Sequence, residues 1–232
     1  MFGYRKTNLF TQKLNIMNAF KIKSQIMTMA VLIGFAVFAT SCSKDEAVAP
    51  AGNESELDYK GVKGKGAPSP GDMTIVGIAL DFNQQTPAEF TELVAALTYA
   101  DQAGAELIPT LNGTSQFTVF APTDAAFYAL YDALSDPDAT PPVIVDEITD
   151  LPVDLVTDVL LYHVTNGRRA ANSVVPNNGY RQIMTLLGEK FTVDSDMMIT
   201  AIGNTANIDP VLNNVSASNG IIHVIDAVIL PI

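Results

Sequence analysis

The chain has 232 residues, with 13 Lys and Arg against 25 Asp and Glu, one cysteine and two histidines. The formal net charge of −12 argues against a nucleic-acid-binding protein, because such proteins cluster Lys and Arg on one face. A single cysteine excludes a zinc finger or an iron–sulfur ligand set within the chain, and two histidines leave little room for a His-rich metal centre, so composition argues against a metalloenzyme. We expect no cofactor.

The N-terminal 42 residues hold five basic and no acidic residues, so all 25 acidic residues follow Cys42. An apolar run of 14 residues spans 26–39, shortly after two lysines. A basic stretch, about 7–15 apolar residues and then small residues are typical of a secretory signal, whereas a membrane-spanning helix needs about 20. A buried core helix is the alternative, although the run has no polar face. We predict that residues 1–42 are an export signal, with Met17 as a possible true start.

The export signal ends in Ala39-Thr40-Ser41-Cys42, which resembles the lipobox of bacterial lipoproteins, with Ala39 where leucine is usual. The resemblance implies that Cys42 is lipidated and becomes the mature N-terminus. An ordinary signal peptide with an incidental cysteine is the alternative. Ser43-Lys44-Asp45-Glu46 resembles the signal that sends some Gram-negative lipoproteins to the cell surface. Because one acyl chain anchors only marginally and a lipoprotein carries several, the mature chain is expected to stay at a membrane.

Residues 43–71 are predicted to be a flexible linker. Gly, Pro, Ala, Ser and charged residues dominate this segment, and a composition of this kind cannot form a core. A flexible chain of 29 residues has an r.m.s. reach of about 30 Å, enough to hold a domain clear of a membrane. A short ordered arm packed on the domain is the alternative interpretation.

One folded domain is predicted for residues 72–232, and its first half is helical. Thr74 is a predicted N-cap, and Pro87 is predicted to open a longer helix, since apolar residues recur at i, i+3, i+4 and i+7 from Phe90. The other predicted elements of this half are a short apolar turn at 107–111, a strand at 117–120, a helix at 125–134 and a helix from Pro152 to Asn166-Gly167.

After Gly167 the apolar period changes from about 3.6 to 2 residues, which predicts short strands separated by turns. The predicted strands are 172–175, 180–186, 190–193, 197–202, 211–215 and 221–229. Helices followed by a strand-rich half indicate an α+β domain rather than alternating βαβ units.

Three segments resemble the fasciclin-type (FAS1) domain, in the order and at roughly the spacing of that family. They are FTVFAPTDAAF at 117–127, LLYHV at 160–164, and NGIIHVID at 219–226 followed by AVILP. The resemblance covers the domain and leaves out the leader and the linker. It implies a compact α+β fold, in which a wedge-shaped β-sandwich has several helices packed beside it.

The first of these segments is predicted to have structural roles. Phe117 is expected to anchor the core, since burying a large apolar side chain contributes about 1.5–3 kcal/mol. Pro122 is expected to fix the turn out of the strand. Thr123 and Asp124 are expected to accept hydrogen bonds from the first N–H groups of the following helix.

The last segment is also predicted to be structural. Asn219 and Gly220 form a predicted tight turn before a buried strand. His223 lies between two β-branched residues and is expected to point inward and bond to the backbone, rather than to act as a ligand or catalyst.

The middle segment carries the candidate adhesion contact. A Tyr-His segment is linked to cell adhesion in some animal members of the family, and the resemblance carries this role to Tyr162 and His163. The alternative from the residues themselves is that both side chains close a helix on the core.

We do not expect an enzyme. The chain contains no GxSxG, HExxH, CxxC, P-loop or GxGxxG motif, and nothing in the sequence places a serine beside either histidine. The acidic stretch from Asp136 to Glu147 offers oxygen atoms that could bind calcium, but it lacks the spacing of an EF-hand loop. A solvated acidic surface is the preferred interpretation.

The sequence therefore predicts a membrane-anchored bacterial lipoprotein that displays one FAS1 domain for cell adhesion or matrix interaction. Its expected partners are a membrane, through the lipid, and an extracellular protein or polysaccharide, but not nucleic acid. The expected location is the outer membrane with the domain exposed at the cell surface; a periplasm-facing domain is the alternative. The alternative function is a structural lipoprotein of the envelope without an external partner.

The distribution of charge along the chain limits the classes of partner that we expect. Residues 66–167 hold 15 acidic residues and no basic one. Such a field keeps a tethered domain soluble and repels anionic lipid and polyanions. Neutral glycans, basic protein patches or cation-bridged contacts are therefore favoured.

Overall fold

The computed structural model describes residues 68–232. The helices are α1 (Ile75–Asn83), α2 (Thr91–Gln102), α3 (Leu107–Leu111), α4 (Asp124–Leu134), α5 (Val153–Tyr162) and α6 (Ala171–Val174). The strands are β1 (Phe117–Pro122), β2 (Val164–Asn166), β3 (Tyr180–Met184), β4 (Lys190–Asp194), β5 (Met198–Thr200), β6 (Thr205–Asn207), β7 (Val215–Ala217) and β8 (Gly220–Ile225). The predicted export signal, Cys42 and residues 43–67 of the predicted linker lie outside the described residues. Among residues 68–232, no helix combines the length and apolar composition that crossing a membrane requires.

Two four-stranded sheets make up the β part of the domain. In the first sheet, of order β2-β1-β8-β7, the central strands β1 and β8 are parallel and pair from Phe117 opposite Gly220 to Pro122 opposite Ile225. The outer strands β2 and β7 are antiparallel to their neighbours. The second sheet is an antiparallel meander of order β3-β4-β5-β6.

The first sheet lies between the helices and the second sheet, so the domain has three layers. Every residue of β1 and β8 is buried. Because alternate side chains of a strand point to opposite faces, Val119 and Ile222 join the core under the helices, while Phe120 and Ile225 join the core between the sheets. The predicted α+β fold, a sandwich with helices packed beside it, is confirmed.

The helices of the first half agree with the prediction except at their boundaries and at residues 107–111. Thr74 caps α1, since its Oγ1 accepts a hydrogen bond from a backbone N–H of the first turn at 3.1 Å. The helix predicted to open at Pro87 begins at Thr91 instead, because Phe90 has a φ of 66° and its backbone is left-handed. The ring of Phe90 is buried. Residues 107–111, predicted as a turn, form α3.

Two predictions around the end of α5 were wrong. The helix ends at Tyr162 rather than at Asn166-Gly167, and the residues that follow form β2, which pairs with β1. Residues 172–175 belong largely to helix α6, not to a strand. Distant side chains satisfy both ends of α6: Asn214 accepts from its first N–H at 2.6 Å, and Arg181 donates to carbonyls near its end.

The later strands lie near their predicted positions; most are shorter, whereas β4 is one residue longer. The strand predicted at 211–215 is found at Val215–Ala217, because the Asp209 carboxylate accepts two backbone hydrogen bonds and folds the preceding residues into a turn. The last strand ends at Ile225 rather than at residue 229. The three-residue strand β6 was not predicted.

Residues 68–71, assigned from the sequence to the linker, lie against the domain. The Arg168 guanidinium donates hydrogen bonds to the carbonyls of Pro68 and Ser69 at 3.1 and 3.2 Å. Its other terminal nitrogen donates to the carbonyls of Ala217 and Gly220 in the first sheet. Arg168 thus fixes this arm to the ends of β7 and β8.

The arm also covers the free edge of β7. A Cβ atom on Gly71 would lie 2.1 Å from the Ser216 carbonyl oxygen, so only glycine permits this approach. The Ser218 N–H donates to the Met73 carbonyl at 2.7 Å. An exposed edge strand is a site for unwanted pairing with other chains, and the arm removes part of that exposure.

Replacing Arg168 with alanine is expected to release the arm. Hydrogen exchange of a peptide covering residues 68–73 should accelerate about tenfold or more, because each hydrogen bond from a charged donor contributes about 1.5–3 kcal/mol. Arg181→Ala is the matched control, since Arg181 also donates to backbone carbonyls, but to those of Asn172 and Ser173 rather than to the arm. Unchanged exchange of the arm in Arg168→Ala would contradict the assignment.

Candidate functional site

We call the three segments 117–127, 160–164 and 219–226 the signature segments. The first of them joins β1 to α4 at the helix-covered face of the first sheet. Phe117 and Phe127 are buried in the core under the helices. Pro122 is the last residue of β1 and pairs with Ile225. The Thr123 hydroxyl accepts a hydrogen bond from the backbone of the first turn of α4 at 3.2 Å, which satisfies an N–H group that the helix itself cannot pair.

Asp124 caps the neighbouring helix rather than its own. Its Oδ1 accepts from the Glu92 N–H in the first turn of α2 at 2.9 Å, and its own N–H donates to Glu89 Oε1 at 2.8 Å. The Tyr131 hydroxyl donates to Glu92 Oε2 at 2.6 Å, and burial, with this carboxylate, raises the pKa of Tyr131. The starts of α2 and α4 therefore each receive an acceptor from the other, as positive helix N-termini favour.

Asn219 ties three separate backbone segments together. Its side-chain oxygen accepts from the Ile75 N–H at 2.9 Å, at the start of α1. Its side-chain nitrogen donates to the carbonyls of Leu111 and Gly113 at 2.7 and 2.9 Å. The residue is buried, so these bonds are the only means of satisfying groups that water does not reach. Asn219 is a hub between two helices and the entrance to β8, in addition to its place in a turn.

Gly220 is required by the close approach of β8 to β1. A Cβ atom at this position would lie 2.2 Å from the Phe117 carbonyl oxygen and 2.6 Å from the Ile75 side chain. Any larger residue would push the two central strands apart.

His223 is fully buried between the sheets. Its Nε2 lies 2.9 Å from the Arg169 carbonyl, and its Nδ1 accepts from the Asn214 N–H at 3.3 Å. These partners assign a neutral ring with its proton on Nε2. Burial lowers the pKa of His223 to about 4.

Tyr162 is fully buried on the same side of the first sheet. Its hydroxyl donates to the Lys190 carbonyl at 3.0 Å, and its ring meets that of Phe191 edge-on, with the centroids 5.8 Å apart. The side chain therefore joins α5 to β4.

His163 follows directly and is also buried, at 3 % exposure. Its Nδ1 lies 2.7 Å from the Val159 carbonyl, and its Nε2 accepts from the Ile229 N–H at 3.1 Å. Burial lowers the pKa of His163 to about 4. The contact expected from Tyr162 and His163 is therefore not on the surface of the folded domain, because both side chains are internal and hydrogen-bonded.

The acidic stretch considered for calcium uses carboxylates to bind its own backbone. Asp136 Oδ1 accepts from the Asp138 N–H, and Asp150 Oδ2 accepts from the N–H groups of Asp146 and Glu147. Within the part of the chain that the structure describes, no group of three or more His, Cys, Asp or Glu side chains is placed to hold a metal ion.

The outward side of the second sheet is a surface that no sequence motif marked. We call it the outer face, and its side chains are Tyr180, Gln182, Met184, Lys190, Thr192, Asp194, Met198, Thr200, Thr205 and Asn207. They alternate with side chains buried between the sheets, such as Ile183 and Val193. This period of two was visible in the sequence, but there it identified strands and not a surface.

Comparison with known proteins identifies the domain. The sequence profile described as "Fasciclin domain" matches residues 88–231. The chain belongs to the fasciclin domain family. The match begins just before α2 and ends with the chain's penultimate residue, so it contains all three signature segments of the fasciclin domain.

Curated relatives include mycobacterial and cyanobacterial proteins. The immunogenic protein MPB70 of Mycobacterium bovis is 36% identical over 143 residues, which are 62% of this chain and 64% of that protein. Protein sll1483 of Synechocystis is 33% identical over 216 residues, 91% of this chain and 98% of that protein. The cell surface glycolipoprotein MPB83 of M. bovis is 32% identical over 143 residues, 60% of this chain and 54% of that protein. The chain thus matches slightly less than two thirds of the length of MPB70.

Among solved structures, a FAS1 domain pair from the insect cell adhesion molecule fasciclin I aligns with part of this chain. The TM-score is 0.41 and the identity 14%, over 60% of this chain and 45% of that one.

Asn219→Ala is expected to destabilise the fasciclin domain by about 2–4 kcal/mol, because it removes the partner of the Ile75 N–H and the Leu111 carbonyl, which are buried, and of the partly buried Gly113 carbonyl. The measurement is chemical denaturation of the full chain. Asn177→Ala is the control, since Asn177 is exposed and surface substitutions change stability by about 0.5 kcal/mol or less. Equal effects of the two substitutions would show that Asn219 is not a hub.

Both imidazole rings are expected to stay neutral down to about pH 5, since their pKa values in the folded domain are about 4 against an ordinary 6.5. As the pH falls, the histidines of the unfolded chain become protonated near pH 6.5, well before those of the folded domain. The stability that the neutral histidines contribute above pH 6.5 is therefore lost as the pH falls towards 4. NMR titration of the two rings, with the urea-unfolded chain as reference, measures this. A folded-state ring that titrates near pH 6.5 would contradict the burial described.

Proposed function

We propose that the chain is a membrane-anchored bacterial lipoprotein that displays its fasciclin domain for cell adhesion or contact with the extracellular matrix. The observation that carries the proposal is that the signature side chains are engaged inside the domain. Asn219, His223 and His163 hold backbone segments together, and Tyr162 joins α5 to β4. Contact with another molecule is therefore made by surface side chains and not by these signature side chains.

The relatives support export and surface display. MPB83, which is 32% identical, is named a cell surface glycolipoprotein. The apolar run at 26–39 and the lipobox-like Ala39-Thr40-Ser41-Cys42 supply an export signal and an acylation site in this chain. No catalytic residue is part of the proposal, since both histidines are neutral and bonded to the backbone.

Display works through three successive parts of the chain. The lipid on Cys42 anchors the chain, residues 43–67 extend it, and the arm at 68–71 connects to the first sheet through Arg168. The domain, at 72–232, holds 20 acidic and four basic residues, and anionic headgroups repel such a charge. The domain is therefore presented away from the membrane on which it is anchored.

Cys42→Ser is expected to abolish labelling of the chain by a palmitate analogue in producing cells and to move the chain out of the membrane fraction. Ser55→Ala, in the predicted linker, is the control and should label like the wild type. Labelling that persists in Cys42→Ser would remove the lipid anchor from the proposal.

Protease treatment of intact cells then separates the two locations. Release of the domain from intact cells, together with adhesion that Cys42→Ser abolishes, is expected for a surface-displayed adhesin. Protection of the domain until the outer membrane is permeabilised would favour a structural role inside the envelope and contradict the surface proposal.

A further inference from the structure

The outer face carries a straight row of hydrogen-bonding side chains across all four strands of the second sheet. Gln182 pairs with Thr192, Thr192 with Thr200, and Thr200 with Thr205. Because neighbouring strands lie about 4.8 Å apart, an amide and three hydroxyls repeat at that spacing, side by side. The row forms a regular polar track on a pleated surface.

Tyr180 stands beside this track and is unusually open. Its side chain is 73% exposed, the largest value among the exposed large hydrophobic residues of the described chain. The other well-exposed tyrosine, Tyr128, is 56% exposed, packs edge-on against Tyr131, and lies in the field of Glu92 and other carboxylates. Tyr180 therefore offers a flat aromatic ring with a polar tip to solvent.

The charge of the outer face and the spacing of its apolar side chains indicate which class of ligand it can bind. The face carries one positive and one negative side chain, Lys190 and Asp194, in a strongly acidic domain, so a polyanion gains nothing there and meets a repelling field around it. Protein interfaces need a contiguous apolar core, but Asp194 lies opposite Tyr180 in the neighbouring strand and Gln182 lies between Tyr180 and Met184 on this face. Tyr180 is the one aromatic side chain of this face, and a polar side chain separates it from Met184.

We propose that the outer face binds an uncharged polysaccharide chain, with Tyr180 stacking on the apolar C–H face of a sugar ring. Gln182, Thr192 and Thr200 exchange hydrogen bonds with the hydroxyls of successive sugar residues along the track. An uncharged polymer with alternating C–H faces and hydroxyls matches both the chemistry and the neutrality of this surface. This inference rests on the proposed function, whose extracellular partner it names by class.

The test measures binding of the purified full chain to dextran, laminarin and galactomannan, which are neutral, and to alginate, which is anionic. Binding is expected to at least one neutral polymer and not to alginate. Tyr180→Ala should weaken that binding about fivefold to tenfold, in line with the loss of an aromatic contact, whereas Tyr180→Phe should keep most of it. Tyr128→Ala is the matched control and should bind like the wild type.

The inference would be overturned if the wild type bound none of the neutral polymers, or if Tyr180→Ala and Tyr128→Ala bound them equally. It would also be overturned if Tyr180→Ala lost binding to a protein-coated surface but kept its binding to the polymers. Adhesion of producing cells is measured in parallel. Cells that adhere equally with the wild type and Tyr180→Ala would defeat the inference and leave the proposed function intact. Polymer binding that depends on Tyr180, without any adhesion by wild-type cells, would defeat the proposed function alone.

Discussion

The parallel pairing of β1 with β8 is the contact on which the rest of the domain depends. Both strands are buried on both faces, so each contributes side chains to two cores at once. The pair tolerates no Cβ atom at Gly220, because the Phe117 carbonyl occupies that space. Asn219, one residue earlier, connects the same point to α1 and α3. The first and last signature segments of the fasciclin domain are thus the parts of the chain that bring its first and last strands together.

The side chains that maintain the fold are therefore different from those that form the surface. The two histidines and Tyr162 are internal and bonded to backbone atoms, so substitutions there act on the stability of the domain. The arm at 68–71 ends on the same sheet, held by Arg168. Among the described residues, the helical layer presents an acidic surface to another molecule, and the outer face presents a polar, nearly neutral surface with one exposed aromatic ring.

Local patterns in the sequence predicted the fold class, the helix capped by Thr74 and the strand beginning at Phe117, because each of these depends on neighbouring residues. Features that depend on distant partners were missed. Asp124 caps a helix that precedes it in the chain, and α6 is held by Asn214 and Arg181 from elsewhere in the fold. The burial of Tyr162 and His163 was the alternative drawn from the residues themselves, but their partners, in the second sheet and at Ile229, were not predicted. No local spacing encodes those contacts.

The signature residues of the fasciclin domain stabilise its interior, and the outer face binds the partner. Hydroxyl-radical footprinting of the full chain, with and without laminarin, tests both parts in one measurement. Tyr180 should be modified rapidly when free and protected by the polymer, while Tyr162, with no exposed surface, should remain unmodified throughout. Modification of Tyr162 at a rate near that of Tyr180, together with protection of Tyr162 by the polymer, would contradict the account.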